Sequence, residues 1–498
     1  MNEGIGLGPA LVIAVAFCLL VAWCFTHRRV DRSLAVLALY LGLLDGYLKL
    51  RIGSQALSLG RDVLIVAIAA GALLRTVYSR HSLPLPPLAG LVLAFAAVVL
   101  VELFNPSGPG MLQGLAGVRS HLEFVPLFFL GYAFVRRESQ VRILVFILVI
   151  CAAAGGVVAL LQSWLTPEQL AQWGPGYRDR IYGAGALEGA GRVGFDASGN
   201  PVVRPFGLGS EVGGAAAMAA LALPGLLVLM INKSTRRPLI LGPLAIGIAL
   251  AVVTSGSRAA TVAVFLSALA FGIMAAVSKN AFRAIAGLAV ASVLLYGVFV
   301  QLGPDNPAKN RAQSVTPDNV VTTFSQERGS SVRLFGTYAL EYPLGVGVGT
   351  LGAAASITGR PNITGLNGET LWNFLVLETG LAGLAIMLAL IIRLLWLAVT
   401  RIRRVVDPAM RLYLAALAAP LFSLAISGFA GPTTVSVPFG PYLWLVAGVL
   451  SYWLITVPRQ PPANSPPHRG RPEPRQRPSA PRARATRPRA RSGAGDLC

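Results

Sequence analysis

Residues 371–397 read LWNFLVLETGLAGLAIMLALIIRLLWL, and only two side chains in this run are charged, Glu378 and Arg393. A stretch of this length and polarity is typical of a helix that crosses a bilayer. The whole chain agrees, because 54% of its 498 residues are hydrophobic and 13% are charged, whereas soluble domains carry about 25% charged residues. This composition excludes a soluble enzyme. The four cysteines lie in apolar runs and at the last position, so the sequence predicts neither a disulfide framework nor a metal site.

The apolar stretches predict thirteen spans, or twelve if the short third one does not cross. In order they are residues 8–25, 33–48, 62–74, 87–103, 122–135, 141–162, 212–231, 239–254, 259–277, 284–302, 371–397, 412–427 and 438–457. We therefore predict an all-α fold, a polytopic transmembrane helix bundle of 12 to 13 spans over residues 1–457.

The basic residues predict the orientation of this bundle. Eighteen Lys and Arg residues lie in or beside the short loops on one face, and five lie on the other face. By the positive-inside rule the first face is cytoplasmic, which places the amino terminus outside and the carboxy terminus inside. Two long loops, residues 163–211 and 303–370, then lie on the outer face of the cell membrane. The second is expected to contain a short helix over about residues 331–341, and long loops of this kind usually carry function.

Residues 458–498 form a separate region rich in proline and arginine. Ten arginines face only two acids, Glu473 and Asp496, and such a segment cannot bury a core. We predict a disordered cytoplasmic tail that is attracted to anionic membrane lipids, with no nucleic acid as a partner.

Charged residues at the ends of predicted spans are candidates for function, because charge inside a bilayer is costly. Arg258 follows the Ser-Gly-Ser turn between the eighth and ninth spans and is either a phosphate clamp at a helix amino terminus or a snorkelling arginine. Arg328 and Arg333 begin the short helix of the second long loop. Glu369 is either a general base or an acid that favours the start of its helix. Glu378 should either point into the bundle or cap a neighbouring helix.

Two further groups of polar residues have structural alternatives. Arg119 and His121 lie at the mouth of the fifth span, where they either contribute to a site or act as a cap at the interface. Asp45 and Lys49 are spaced to pair on one helix face. Gly345 and its neighbours Gly347 and Gly349 are expected to form a flexible strip, which is weak evidence for phosphate binding without a strand before it.

Four segments resemble the O-antigen ligase and polymerase superfamily of bacterial surface polysaccharide assembly. They are RPFGLGSEVGGAAAMA at residues 204–219, TSGSRAA at 254–260, SVRLFGTYALEYPLGVGVG at 331–349 and ETGLAGL at 378–384. The most specific match is the arginine that is followed ten residues later by Pro-Leu-Gly-Val-Gly-Val-Gly.

The resemblance implies a glycosyltransferase that inverts the configuration and needs no metal and no cofactor. Its donor would be a glycan on a polyprenyl diphosphate, and its acceptor a glycan, a lipid or a protein outside the cytoplasmic membrane. Arg258 and Arg333 match arginines that would stabilise the departing diphosphate, and Arg328, Arg204, Arg119 and His121 are added as candidate substrate-binding residues. The chain departs from the family at the usual loop histidine, where Glu369 stands. Either Glu369 acts as the base, which we favour because a carboxylate can do so, or catalysis relies on the arginines and on positioning, or the activity is lost.

Two other functions are compatible with the sequence. A transporter or flippase of lipid-linked sugars would also need many spans, although no related halves are visible. A catalytically inactive relative that acts as an assembly partner would explain why the histidine is missing.

Overall fold

The structure, a computed structural model, describes residues 7–53, 56–80, 85–183, 194–195, 201–232, 238–255, 257–275, 329–355, 366–429, 431 and 433–456. The described chain is helical almost throughout. Its α-helices are α1 Leu7–Thr26, α2 Val30–Leu43, α3 Asp45–Ile52, α4 Ala56–Tyr78, α5 Ala89–Glu102, α6 Met111–Leu122, α7 Val125–Phe134, α8 Glu138–Ser163, α9 Pro167–Ala171, α10 Pro175–Tyr182, α11 Gly214–Ile231, α12 Pro238–Thr254, α13 Arg258–Ala275, α14 Gly329–Glu341, α15 Gly352–Ala355, α16 Leu371–Arg401, α17 Pro408–Ser427 and α18 Phe439–Ser451. A 3₁₀ turn follows α16 (Ile402–Arg404), and a π-helical turn follows α18 (Tyr452–Thr456).

The strands in the described part of the chain are β1 (Gly194–Phe195) and β2 (Pro201–Val202), which pair antiparallel in the first long loop. The prediction of an all-α polytopic bundle is therefore confirmed. The short helix predicted over 331–341 is α14, which begins two residues earlier.

Each predicted span except the tenth corresponds to a described helix. The tenth, residues 284–302, and the tail, residues 458–498, lie outside the described residues. Among the described helices, α8, α11, α16 with its 3₁₀ turn, and α18 with its π turn are long and apolar enough to cross a membrane. The bent pair α2 and α3 makes a fifth if it counts as one span, and several shorter apolar helices accompany them. The count of twelve or thirteen spans stays a prediction.

Helix α11 is the centre of the bundle. It is apolar on every side, and nearly all of its side chains are buried, as expected for a helix surrounded by others. It packs against α8, α12, α13 and α17. Small residues let backbones approach closely elsewhere in the bundle. A Cβ added to Gly156 of α8 would lie 1.9 Å from the carbonyl oxygen of Gly247 in α12.

The bundle has two chemically different ends. At the end that we call the basic end, Arg401 donates to the carbonyl of Leu454 (3.0 Å) and Arg403 donates to that of Ile273 (2.8 Å). At the opposite end, which we call the cap end, α16 begins and α17 finishes, and the Leu371 N–H donates to the Gly428 carbonyl (2.7 Å). Helix α14 also lies at the cap end, against the start of α16.

Candidate functional site

Arg333 and Glu369 lie on neighbouring elements at the cap end. The side-chain amide of Asn373 in α16 donates to the Ser331 carbonyl in α14 (2.8 Å), and the Asn367 N–H donates to the Tyr338 hydroxyl (2.9 Å). These two bonds join the start of α16 to α14. Both predicted catalytic side chains, that of Arg333 and that of Glu369, are exposed there, so both can reach a substrate in water or in the headgroup region.

Arg258 lies at the same end of the bundle. It is the first residue of α13, whose other end accepts a hydrogen bond from Arg403 at the basic end. The Arg258 side chain and the whole of Arg328 lie outside what the structure describes. Arg204 is half-buried in the segment before α11.

The glycine-rich segment after α14 is tightly packed, so the prediction of a flexible strip is wrong. We call residues 343–351 the glycine strip. Gly345, Gly347 and Gly349 all have positive φ, between 78° and 89°, a conformation that glycine adopts without steric cost. A Cβ on Gly349 would lie 2.1 Å from the Gln113 carbonyl oxygen, and the Gln113 amide donates to the Gly349 carbonyl (2.9 Å). Glycine is therefore required here by close backbone approach.

Helix α16 is interrupted where the glycine strip crosses it. Gly380 has φ 64° and ψ −175° inside the helix, which interrupts the regular ladder of backbone hydrogen bonds. The strip supplies replacement partners on each side of the break. The Val346 N–H donates to the Leu377 carbonyl (2.6 Å), and the Leu381 N–H donates to the Pro343 carbonyl (2.9 Å). An interruption within an apolar span is tolerated because other protein groups satisfy its backbone in this way.

Glu378 joins the interrupted helix to the strip and to α6. One carboxylate oxygen accepts the Leu351 N–H (2.8 Å), and the other lies 2.8 Å from Nε2 of His121. Neither side chain is more than 1% exposed. The His121 ring packs between Phe95 (6.0 Å between ring centroids) and Phe374 (5.2 Å). The prediction that Glu378 points into the bundle is confirmed.

His121 cannot touch a substrate from this position. Even with its backbone included, the residue is 3% exposed, and its ring lies against Phe95 of α5 and Phe374 of α16. The prediction that it binds substrate is therefore corrected. His121 and Arg119 are two residues apart in α6 and so point to different sides of that helix. His121 is therefore buried while Arg119 is only half-buried.

A second buried network centres on Arg61 of α4. Its guanidinium donates to both oxygens of Glu123 (2.8 and 3.0 Å) and to Asp45 (3.3 Å). The Nε atom lies 3.6 Å from Asp62, and the group also stacks over the Phe124 ring at 5.2 Å. The side chains of Arg61, Asp45 and Glu123 are at most 7% exposed. We call Arg61, its three acids and Arg119 the Arg61 network.

Arg119 completes this network from α6. Its Nε donates to Asp62 (2.6 Å), and another of its guanidinium nitrogens lies 3.7 Å from Glu123. Its side chain is 35% exposed, so Arg119 connects the buried charges with the surface. Its predicted role in binding substrate stays a prediction, and a substrate would have to use the guanidinium nitrogens other than Nε, which Asp62 already engages.

The network also changes the interpretation of Asp45. The sequence predicted a pair between Asp45 and Lys49 on one helix, and both residues do lie in α3, which begins after a break at Leu44 and meets α2 at 47°. Asp45 becomes the first residue of α3, and its ion partner is Arg61. Sequence reasoning missed Arg61 because it was counted as a loop residue. The available signal was the Arg61-Asp62 doublet directly before an apolar run, followed by another charged group at the mouth of the fifth span.

The first two segments of the resemblance also lie together. Gln162 of α8 accepts from the N–H groups of Phe206 and Gly207 (2.9 and 2.8 Å) and donates to the Gly207 carbonyl (3.1 Å). The segment at 204–219 then contacts the turn at 254–260, since a Cβ on Gly213 would lie 3.0 Å from that of Ser257. The described residues contain no group of three His, Cys, Asp or Glu side chains that could hold a metal ion.

At the cap end, the Arg333 guanidinium and the Glu369 carboxylate are both exposed. The helices beneath them contain the buried pair of His121 and Glu378. Such an arrangement can bind an anionic group and accept a proton. No protein-family model matches this sequence, and a comparison with curated proteins gives no match either.

Proposed function

We propose that this protein transfers or polymerises a glycan carried on a polyprenyl diphosphate, at the outer face of the cytoplasmic membrane. The observation that carries this proposal is the exposure of Arg333 and Glu369 on adjoining elements, which are joined by the bonds of Asn373 and Tyr338. Arg258 begins a helix at the same end. The positive-inside bias of the sequence favours an orientation in which this end faces outward.

The chemistry that we assign to these residues is a single displacement. Glu369 accepts the proton of the acceptor hydroxyl while the oxygen of that hydroxyl attacks the anomeric carbon of the donor sugar. The bond between that carbon and the diphosphate breaks with inversion. Arg333 and Arg258 stabilise the charge that develops on the departing diphosphate, and the proton on Glu369 passes to water afterwards.

The resemblance gains support from the way its segments are combined. The segments at 331–349 and 378–384 contact each other through the backbone bonds on both sides of Gly380, and those at 204–219 and 254–260 contact each other at Gly213 and Ser257. Segments that are far apart in sequence thus form two paired units. This supports a common role for them and is not expected of chance matches.

The test is a transfer assay in membrane vesicles that are supplied with a lipid-diphosphate glycan extract from the native cells. Wild type is compared with Arg258→Ala, Arg333→Ala and Glu369→Gln, and carrier-linked glycan and product are followed by mass. We expect each variant to remain folded and to lose transfer by about 100-fold or more. Glu341→Gln, a change at an exposed acid at the other end of α14, is the matched control and should retain activity. If wild type consumes no donor with any acceptor, the proposal fails in favour of an inactive relative that acts in assembly.

One observation favours a transporter of lipid-linked sugars as the second candidate. Three helical segments are interrupted near an acid whose side chain is buried. The interruptions are at Leu44 before Asp45, between α6 and α7 at Glu123, and at Gly380 two residues after Glu378. Interrupted helices with buried charge are frequent at the binding sites of transporters. In the same vesicles, sugar that crosses the membrane without a new glycosidic bond, and that stops crossing in Asp45→Asn but not in Arg333→Ala, would establish this alternative.

A further inference from the structure

We propose that His121 and Glu378 are positioning residues, which act through the glycine strip to hold α14, and with it Arg333, against the start of α16. The inference rests on the proposed function, since it concerns how that site is kept in place. Neither residue touches a substrate, because both are buried.

The first step of the argument is that Glu378 connects three elements with one carboxylate. It belongs to α16, it accepts from the Leu351 N–H at the end of the strip, and it pairs with His121 of α6. Burying a carboxylate is costly unless its oxygens are satisfied. Both oxygens are satisfied here by groups from other elements, so these elements cannot separate without leaving a buried acid unpaired.

The second step is that the strip is fixed along its length. Its beginning is bound to α16 through the Pro343 carbonyl and the Leu381 N–H, and its end is bound to Glu378. Between these points, Asn105 donates to the Gly345 carbonyl (3.3 Å) and Gln113 to the Gly349 carbonyl. The strip therefore transmits the position of α5, α6 and α16 to whatever precedes it in the chain.

The third step is that α14 has little packing of its own. Of its 13 residues, only Ser331 and Tyr338 are buried, and Leu340 is 86% exposed. Leu334 and Phe335 are partly buried against the core, and beyond these contacts the helix takes its orientation from its ends and from a few hydrogen bonds. Its carboxyl end, Glu341, lies two residues before the strip begins, so a displaced strip displaces Arg333.

The kinetic test uses Glu378→Leu and His121→Leu, which remove the pair without leaving a charge on the substituted residue. Because a displacement of about 1 Å at a reacting group can cost 100-fold, we expect each to lower kcat/KM for transfer by about 10- to 100-fold. Glu378→Gln can still accept from Leu351 and contact His121, and should retain most of the activity. Glu341→Gln is the control that should behave like wild type.

The decisive variant combines Glu378→Leu with Arg333→Ala. If Glu378 acts through Arg333, the double variant is no slower than Arg333→Ala alone, because the displaced group is already absent. Losses that multiply in the double variant would overturn the inference. A residue that only stabilises the bundle would lower the amount of active protein in both backgrounds by the same factor.

A second measurement does not depend on transfer. Amide hydrogen exchange in detergent should accelerate in peptides from α14 and the glycine strip of Glu378→Leu and His121→Leu, and stay unchanged in peptides from α8 and α11. Unchanged exchange in the strip of both variants would overturn the inference whatever the kinetics show. If wild type transfers nothing while the strip loosens as expected, the proposed function fails but the positioning of α14 by this pair stands.

Discussion

Arg61 holds together most of the buried charge in the described part of the bundle. It bonds to two acids from other elements, Asp45 of α3 and Glu123 after α6, and it neighbours Asp62. An ion pair buried in this way is weak evidence for stability by itself, because desolvation offsets the Coulombic gain. Removal of one partner is different, since it leaves the others charged and unpaired in an apolar environment.

We therefore predict that Arg61→Leu lowers the free energy of unfolding by about 3–5 kcal/mol. The matched control is Arg142→Leu, which removes the exposed pair with Glu138 (2.7 Å) and should cost less than about 1 kcal/mol. Unfolding of purified protein in mixed micelles measures both. Equal losses in the two variants would mean that the Arg61 network contributes no more than a surface pair.

Gly117 of α6 provides a second prediction at this scale. A Cβ at this position would lie 2.1 Å from the backbone nitrogen of Gly349, and backbone cannot move aside as a side chain can. We expect Gly117→Ala to destabilise the protein by about 3 kcal/mol, at the upper end for overpacking. Gly336→Ala, in open space on α14, should be neutral or slightly stabilising. Thermal unfolding of the two alanine variants side by side would refute the prediction if their midpoints agree.

The environment of a single side chain was predictable from the sequence only where one physical rule determined it. A carboxylate two turns inside an apolar span must face protein, and Glu378 does so. Arg61 was not recognised, because the predicted third span began at Asp62 and left Arg61 in a loop. Its partners come from α3 and from the end of α6, and the sequence gives no rule for which helix ends meet.

At the scale of elements, the interruption of α16 distinguishes this helix from an ordinary span. Gly380 has positive φ, and a Cβ there would lie 2.8 Å from the carbonyl carbon of Leu344 and 2.9 Å from the carbonyl oxygen of Pro343. The break and the glycine strip thus form one unit. Neither can be rearranged without the other.

We predict that Gly380→Ala separates this unit. The strained backbone costs about 1–3 kcal/mol, and the contact with residues 343 and 344 adds to it, so the strip should detach from α16. Faster exchange of the Leu381 and Val346 amides would be the sign. Gly90→Ala, at a helical position with no atom nearby, is the control, and the same exchange rates in both variants would contradict the prediction.

The positions of the elements were predicted well, but their interruptions were not. Apolar length locates α1, α8, α11, α12 and α17 within a few residues, because each helix is a continuous apolar run. The same criterion merged α2 with α3, since the break at Leu44 involves no proline or glycine at that residue. It also missed α6, which mixes small, polar and apolar residues and is stabilised by contacts with α5, α7 and α15.

For the whole molecule, the proposed function requires a particular orientation in the membrane. We predict that the cap end faces outward and the basic end faces the cytoplasm. Ser107, between α5 and α6, and Ser139, at the start of α8, are both exposed serines at opposite ends. In a background with Cys18→Ser and Cys498→Ser, a membrane-impermeant maleimide should label Ser107→Cys in intact cells.

The companion variant completes this experiment. Ser139→Cys should react only after the cells are permeabilised. Labelling of Ser139→Cys in intact cells, with Ser107→Cys protected, would invert the molecule and place Arg333 and Glu369 in the cytoplasm. The proposed reaction on an outward-facing carrier would then be impossible.

The separation of His121 from Glu378 by 257 residues has a consequence for the order of events on the ribosome. At a synthesis rate of about 5–20 residues per second, Glu378 is made roughly 13–50 seconds after His121. For the Arg61 network the interval is shorter, roughly 3–12 seconds at the same rate, because the most distant of its Arg61 contacts is 62 residues away. The charges of the early helices are therefore paired sooner, while His121 stays unpaired until α16 emerges. A ribosome stalled before that point would leave a partial chain in which the side of α6 that carries His121 is not yet covered by α16.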